Sequence, residues 1–147
     1  MRTQEVLQLD QDVITAWNKH DTEKFLALCD ENIVWSDPSN TEPLRGKKRA
    51  REFFESWSRA FPDSKLTQTS LITNENELAM EVEFSGTHTG PLHLGSKEIP
   101  ATRKKVRNKG SYFARVKDGK ITELHSYPDT LGMMSQLGLV PQVASVN

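Results

Sequence analysis

The sequence predicts an α+β domain with helices first and an antiparallel sheet last. Apolar residues recur at helical spacing over the first sixty positions. After Pro62 strict apolar/polar alternation takes over, and the pair Asp118-Gly119 between two β-like runs marks a hairpin. Helices and strands segregated in this way imply a sheet packed on a helical layer rather than alternating βαβ units. The 147 residues fit one domain, 1–147, without internal repeats, low-complexity tracts or a linker.

Val6, Leu7, Val13, Ile14 and Trp17 carry the first helix, with Thr3 as its expected N-cap. Asp21 fits the N-cap of a second, short helix through Phe25, Leu26 and Leu28, and Cys29 reads as part of that apolar helical stretch. Ile33-Val34-Trp35 is a brief β-like run stopped by Asp37-Pro38. A third helix over 46–61 carries Ala50, Phe53, Phe54 and Trp57 on one side, and Pro62 ends it.

Residues 65–73 read as a strand, and Asn74-Glu75-Asn76 as a hairpin connection. Next, Leu78, Met80, Val82 and Phe84 alternate with Glu77, Glu81, Glu83 and Ser85, the pattern of a half-buried strand. Residues 86–100, with Gly86, Gly90, Pro91, Gly95 and Pro100, read as a loop. A long strand over 102–116 and a further one over 121–127 flank the Asp118-Gly119 turn. A last helix over 130–137 ends at Gly138, and the chain from Pro141 onward is expected to fray.

Composition narrows function. Nineteen Lys+Arg against twenty Asp+Glu leave a net charge of −1, which excludes a polyanion binder driven by bulk charge and an acidic disordered tail. No apolar run reaches the ~18 residues of a membrane span, and the first residues hold acids rather than an apolar leader core. The single cysteine, Cys29, has no internal partner and points to a reducing, cytoplasmic setting and a buried structural thiol. His20, His88, His93 and His125 show no metal-ligand spacing, and no phosphate loop, dinucleotide fingerprint or nucleophile elbow is present. Chemistry without metal or cofactor is the expectation.

The candidate site residues lie on the strands and at their ends. His88 shares parity with Val82 and Phe84, so it is expected on the apolar side as a hydrogen-bonding or acid/base group; a satisfied core histidine is the commoner reading. Asp37 follows Trp35 directly, as a base in an aromatic setting or as an Asp-Pro turn. Tyr112 is in phase with Ala114 and Val116, and Ser126 with Leu124, which directs both hydroxyls inward. The basic run of residues 103–109 places Arg103, Lys105, Arg107 and Lys109 on one parity, opposite the glutamates of the preceding strand. Cross-strand ion pairing explains it better than nucleic acid, since no aromatics interleave.

Several motifs together resemble the SnoaL-like polyketide cyclase (ester cyclase) family. They are Trp17-Asn18, Trp35-Ser36-Asp37-Pro38, Phe61-Pro62-Asp63, the stretch from Gly86 to Gly90, Arg115 to Ile121, and Tyr127 to Gly138, over about residues 3–141. The resemblance implies the nuclear transport factor 2-like fold: a curved sheet wrapped around N-terminal helices into a cone with a deep apolar pocket, often as a homodimer. It also implies intramolecular aldol cyclisation of a polyketide ester without a cofactor. By the same resemblance the pocket histidine falls on His88, a polar pocket position on Asp37 and a further histidine position on Tyr112. The family's Asp-x-x-Asp before the final helix reads here Ser126-Tyr127-Pro128-Asp129, so Ser126 stands at the catalytic aspartate position, while Asp129 also fits the N-cap of the last helix.

The expected site is therefore Asp37 as base with His88 or Tyr112 donating to a developing oxyanion. Trp17, Trp35, Trp57, Phe84, Ser126 and Asp129 would surround a small, mostly apolar, oxygenated ligand. Aldol cyclisation or a related lyase or isomerase reaction is the leading reading. A non-catalytic binding pocket is the alternative, and an epoxide hydrolase-like site, which needs an Asp-Arg-Asp constellation, is a third. No nucleic-acid or membrane partner is expected.

Overall fold

The structure, a computed structural model, describes residues 2–140. Thr3 lies inside α1 (Arg2–Asn18) and is not its N-cap, because helical geometry already holds at Arg2. The buried face of α1 is Val6, Leu9, Val13 and Ala16, with Asp10 among them, while Leu7 is 40 % exposed. Asp10 is tolerated there because both carboxylate oxygens accept from Gln68 Nε2 at 3.0 Å. In α2 (Thr22–Ala27) the Asp21 side chain accepts the Lys24 N–H, a cap stabilising the helix by about 1 kcal/mol.

Cys29 is not helical but opens β1 (Cys29–Ser36), since Leu28 already caps α2. Its thiol stays tied to that helix by donating to the Phe25 carbonyl at 3.4 Å. A two-residue β2 (Leu44–Arg45) follows, too short to show periodicity in sequence. α3 (Lys47–Ala60) begins after Gly46 (φ 85°) and buries Ala50, Phe53, Phe54 and Ala60.

β3 (Lys65–Thr73) and β4 (Glu77–Thr87) form the first hairpin. The segment read as a loop contains a small separate hairpin, β5 (Leu92–Leu94) and β6 (Lys97–Ile99), whose three-residue strands are below the length at which alternation is legible. β7 (Lys105–Lys117) starts three residues later than expected, because Arg103 takes a positive φ of 63° that breaks extended backbone. β8 (Lys120–Pro128) and α4 (Thr130–Gln136) complete the chain, and Gly138 turns it out of the helix with φ 75°. The segment expected to fray from Pro141 lies outside the described residues.

The main sheet has the order β2-β1-β8-β7-β4-β3. It is mixed rather than purely antiparallel, because β1 runs parallel to β8. Neither strand's own pattern encodes the direction in which two segments so distant in sequence pair. Register shifts at Gln68/Ser70 and Arg115/Val116 are the kind of irregularity that bends a sheet, and this sheet curves over the helices. Of the expected cross-strand pairs the outer face carries Arg107–Glu83 at 3.1 Å, while Glu77 pairs instead with Arg115 at 3.0 Å, which also reaches Glu123 at 3.3 Å. Exposed as they are, each contributes no more than about 1 kcal/mol. The inner face holds the main core with Leu66, Leu78, Met80, Val82, Ala114 and Leu124 packed on Phe25, Trp35 and Phe54. A smaller cluster of Ala60, Phe61, Leu92, Val106, Met133 and Leu137 closes the end near α4.

Candidate functional site

Between the inner sheet face and the helices lies a narrow cavity lined mainly by aromatic side chains. Trp17 comes from α1, Trp35 from β1, Phe53 and Trp57 from α3, and Leu66, Val82 and Phe84 from β3 and β4. Edge-on contacts order these rings: Trp17 on Trp35 at 6.1 Å, Trp35 on Phe53 at 4.8 Å and Trp57 on Phe84 at 6.1 Å. All four expected aromatic walls, Trp17, Trp35, Trp57 and Phe84, border this space. The polar groups on it are Asp37, Asn108, Lys109, Tyr112 and Ser126, with Pro128 and Met133 near α4.

Asp37, the residue after β1, is 8 % exposed and presents its carboxylate to this cavity. Oδ1 accepts the Ser39 backbone N–H at 2.9 Å and the Ser39 hydroxyl at 2.6 Å. Oδ2 accepts the Ser126 hydroxyl at 2.5 Å, and Ser126 Oγ in turn accepts the Trp35 indole N–H at 3.0 Å. The result is a chain from Trp35 through Ser126 to Asp37, with three donors converging on one carboxylate. A carboxylate offers about four lone-pair sites, so one remains for a ligand.

Tyr112 stands directly opposite Ser126 in the β7–β8 register. Burial pushes its phenol well above the ordinary tyrosine range, and the negative charge of Asp37 adds to that rise. The hydroxyl is therefore held protonated, as a donor. Asp37, Tyr112 and Ser126 thus meet at one end of the cavity.

His88 does not join them. It lies just beyond the end of β4, fully buried, with its ring 5.4 Å from Phe61. Nδ1 accepts the Thr102 N–H at 3.1 Å and sits 2.9 Å from the Thr102 hydroxyl, an arrangement that leaves the remaining proton on Nε2. Burial lowers its pKa and favours the neutral ring. Strand parity turns His88 inward, but past the end of β4 its ring packs on Phe61 and does not border the cavity. Gly86 and Gly90 mark close packing rather than a cavity edge: a Cβ at Gly86 would meet Phe61 at 3.2 Å, and one at Gly90 would collide with the Arg59 carbonyl. Asp129, expected as a ligand contact, is the N-cap of α4, accepting the Gly132 N–H at 2.8 Å, and is absent from the cavity wall.

Sequence reasoning missed Ser39, Phe53, Leu66, Val82, Asn108, Lys109, Pro128 and Met133. For Asn108 a signal existed. It shares the parity of Tyr112 and is the one non-basic polar residue within the basic run, the mark of an inward position. Among the described residues no group of three or more His, Cys, Asp or Glu could hold a metal. No helix among them is long and apolar enough to cross a membrane.

The profile of the SnoaL-like polyketide cyclase family matches residues 7–137. Solved structures give the same picture of the fold. A candidate SnoaL-like polyketide cyclase from Jannaschia sp. CCS1 superposes with a TM-score of 0.83 at 14 % identity, over 95 % of each chain. AclR, a candidate hydroxylase from Streptomyces galilaeus, gives 0.81 at 22 % identity, over 96 % of this chain and 85 % of that one. IdmH, a candidate polyketide cyclase from Streptomyces antibioticus, gives 0.75 at 22 % identity, over 89 % of this chain and 96 % of that one. No curated protein matches the sequence.

Proposed function

We propose, from the premise that this chain belongs to the SnoaL-like polyketide cyclase family, that it catalyses acid/base chemistry on a small, mostly apolar, oxygenated ligand. The observation that carries this reading is the Asp37 carboxylate inside an aromatic cavity, with Ser126 Oγ 2.5 Å from Oδ2. At the position where the family's aspartate is expected, a serine instead hydrogen-bonds the carboxylate of Asp37, the residue after β1.

Asp37 would take the acidic α-proton of a ketone or ester, leaving an enolate conjugated into the ligand. The enolate carbon would attack a second carbonyl of the same molecule, forming the ring bond and an alkoxide. Tyr112, kept protonated by burial, would donate a hydrogen bond to that oxygen, which then takes the proton back from Asp37. Protons and electron pairs balance within the ligand and one carboxyl group. The surrounding aromatic rings exclude water and strengthen each polar contact.

The experiment is turnover of a polyketide-ester mimic capable of aldol closure. Asp37→Asn, close in shape but unable to accept a proton, should lose at least a hundredfold in kcat. Full turnover in that variant would overturn the assignment. A pocket that binds without catalysis is the second reading, favoured by the serine at position 126; tight binding without turnover by the wild-type protein would select it. The epoxide hydrolase-like reading gains no support, because no arginine lines the cavity among the described residues.

A further inference from the structure

The two oxygens of the Asp37 carboxylate differ in what they hold. Oδ1 accepts twice from Ser39, from its backbone N–H at 2.9 Å and from its hydroxyl at 2.6 Å. Each carboxylate oxygen offers about two lone-pair sites, so Oδ1 is full. Oδ2 accepts from Ser126 alone and keeps one site open. The partners also differ in place. Ser126 borders the cavity and Ser39 does not, so Oδ2 is the oxygen on the cavity side. Ser126 stands opposite Tyr112 in the β7–β8 register, which puts the open oxygen on the side of the phenol.

An aspartate in a turn routinely accepts the N–H two residues on. Here the Asp37 carbonyl also closes the turn by accepting the Asn40 N–H at 3.0 Å. The Ser39 hydroxyl is therefore surplus to the turn. It adds a second bond to an oxygen that already has one. We infer that Oδ2 is the oxygen of Asp37 that takes the proton, and that Ser39 is a positioning residue whose hydroxyl fills Oδ1 and stops the carboxylate turning about its Cβ–Cγ bond. In the step, the α C–H bond of the ligand breaks, the proton goes to Oδ2 and the electron pair stays on the ligand as the enolate. The proton leaves Oδ2 for the alkoxide once the ring has closed. Oδ1 keeps both Ser39 bonds throughout. This inference rests on the reading of Asp37 as the base and adds which oxygen reacts and what aims it.

The test is steady-state turnover of methyl 2-[2-(3-oxobutyl)phenyl]acetate, whose ester α-carbon can close a six-membered ring on the ketone. Wild type, Asp37→Asn, Ser39→Ala and Ser39→Thr are compared. Ser39→Ala keeps the N–H bond of the turn and loses only the hydroxyl, and should lose about tenfold in kcat at unchanged KM. The unchanged KM also shows that the variant's cavity is intact. Ser39→Thr, which keeps the hydroxyl, should turn over like the wild type. The sign discriminates, because a carboxylate stripped of a donor is the stronger base and a purely electronic role would raise kcat. An unchanged or raised kcat in Ser39→Ala, an equal fall in Ser39→Thr, or a loss carried by KM alone would overturn the role of Ser39 and leave Asp37 as the base. Full turnover by Asp37→Asn, or none by the wild type, would overturn the base assignment and this inference with it.

Discussion

Ser126 Oγ lies 2.5 Å from Asp37 Oδ2, joining residues 89 positions apart in the chain. The contact exists because β1 and β8 pair side by side in parallel, Ser36 opposite His125, which sets the residues following each on neighbouring tracks. Trp35 reaches across the same gap with its indole N–H, so the serine hydroxyl accepts from one neighbour and donates to the other. The serine hydroxyl is therefore engaged on both sides, by the Trp35 N–H and by the Asp37 carboxylate. Its part is to hold the carboxylate.

That chain predicts strong coupling between its members. Ser126→Ala strands both the Trp35 N–H and Asp37 Oδ2 in a buried setting, and should cost about 1–3 kcal/mol in urea unfolding. Trp35→Phe removes the donor at the far end and leaves a small void. Because both substitutions break the same hydrogen bond, the double variant should lose at least 0.5 kcal/mol less than the sum, by the usual range for contacting pairs. Strict additivity would mean that the Trp35–Ser126 hydrogen bond contributes nothing.

Ser126→Asp supplies the carboxylate the family pattern calls for, but beside one that is already there. Two carboxyl groups at hydrogen-bond distance cannot both ionise cheaply, and one should titrate well above the ordinary range. The variant should therefore be least stable near pH 8 and recover toward wild-type stability near pH 5, where the pair shares a proton. A pH-independent stability difference would show that the two groups do not face each other. Restored cyclisation of a polyketide-ester mimic by this variant, with none from the wild type, would identify the wild-type site as a decayed one.

Most of this fold was legible because its long elements bury one face. The alternation from Leu78 to Phe84 and the Asp118-Gly119 turn located the central hairpins, and Ala50, Phe53 and Phe54 located α3. What failed was information that no local pattern holds. β5 and β6 are three residues each, the parallel pairing of β1 with β8 is a long-range choice, and His88, just past β4, packs on Phe61 away from the cavity. The site was half legible for the same reason. Parity brought Tyr112 and Ser126 inside, while the Asp37–Ser126 contact depends on a register that neither segment specifies alone.

Asp10 offers a stability gain. Burial raises its carboxyl above the ordinary range, and the Gln68 hydrogen bonds only partly offset that rise. With the folded-state value above the unfolded one, the protonated form is favoured by folding. Its stabilisation is present below about pH 3.8 and is lost as pH rises through the folded value. At pH 7 the charged form carries the full desolvation cost. Asp10→Asn, which keeps an acceptor for Gln68, should raise Tm at pH 7 and change it little at pH 3. A lower Tm at pH 7 would show that the ionised carboxylate is stabilising where it sits.

Cys29 should be silent toward thiol reagents in the folded protein. Burial pushes its thiol up to about 12, the nearby Lys47 and Lys120 charges only partly opposing, and Sγ is 3.4 Å from the Phe25 carbonyl. At pH 8 the folded-state labelling rate should follow the opening of α2 from β1 and accelerate with urea in step with unfolding. Rapid, urea-independent labelling would contradict the burial.

His88 should make the fold acid-sensitive in a defined window. Its neutral ring accepts the Thr102 N–H through Nδ1, and burial lowers its folded-state pKa below the ordinary histidine value of 6.5. The unfolded chain therefore binds this proton at a higher pH than the native protein does. The stabilisation is complete above about pH 6.5 and falls away as pH drops through the folded value. Protonation also converts Nδ1 from acceptor to donor and turns it against the Thr102 amide. His88→Asn keeps an acceptor near Nδ1 but has no proton to gain, so it should be less stable at pH 7, where the ring's packing on Phe61 is lost, yet show a flatter decline between pH 7 and pH 5. Parallel pH profiles for the two proteins would remove His88 as the source of the acid sensitivity. A steep loss of turnover in His88→Asn at pH 7, with stability unchanged, would instead place the ring in the chemistry from which the geometry separates it.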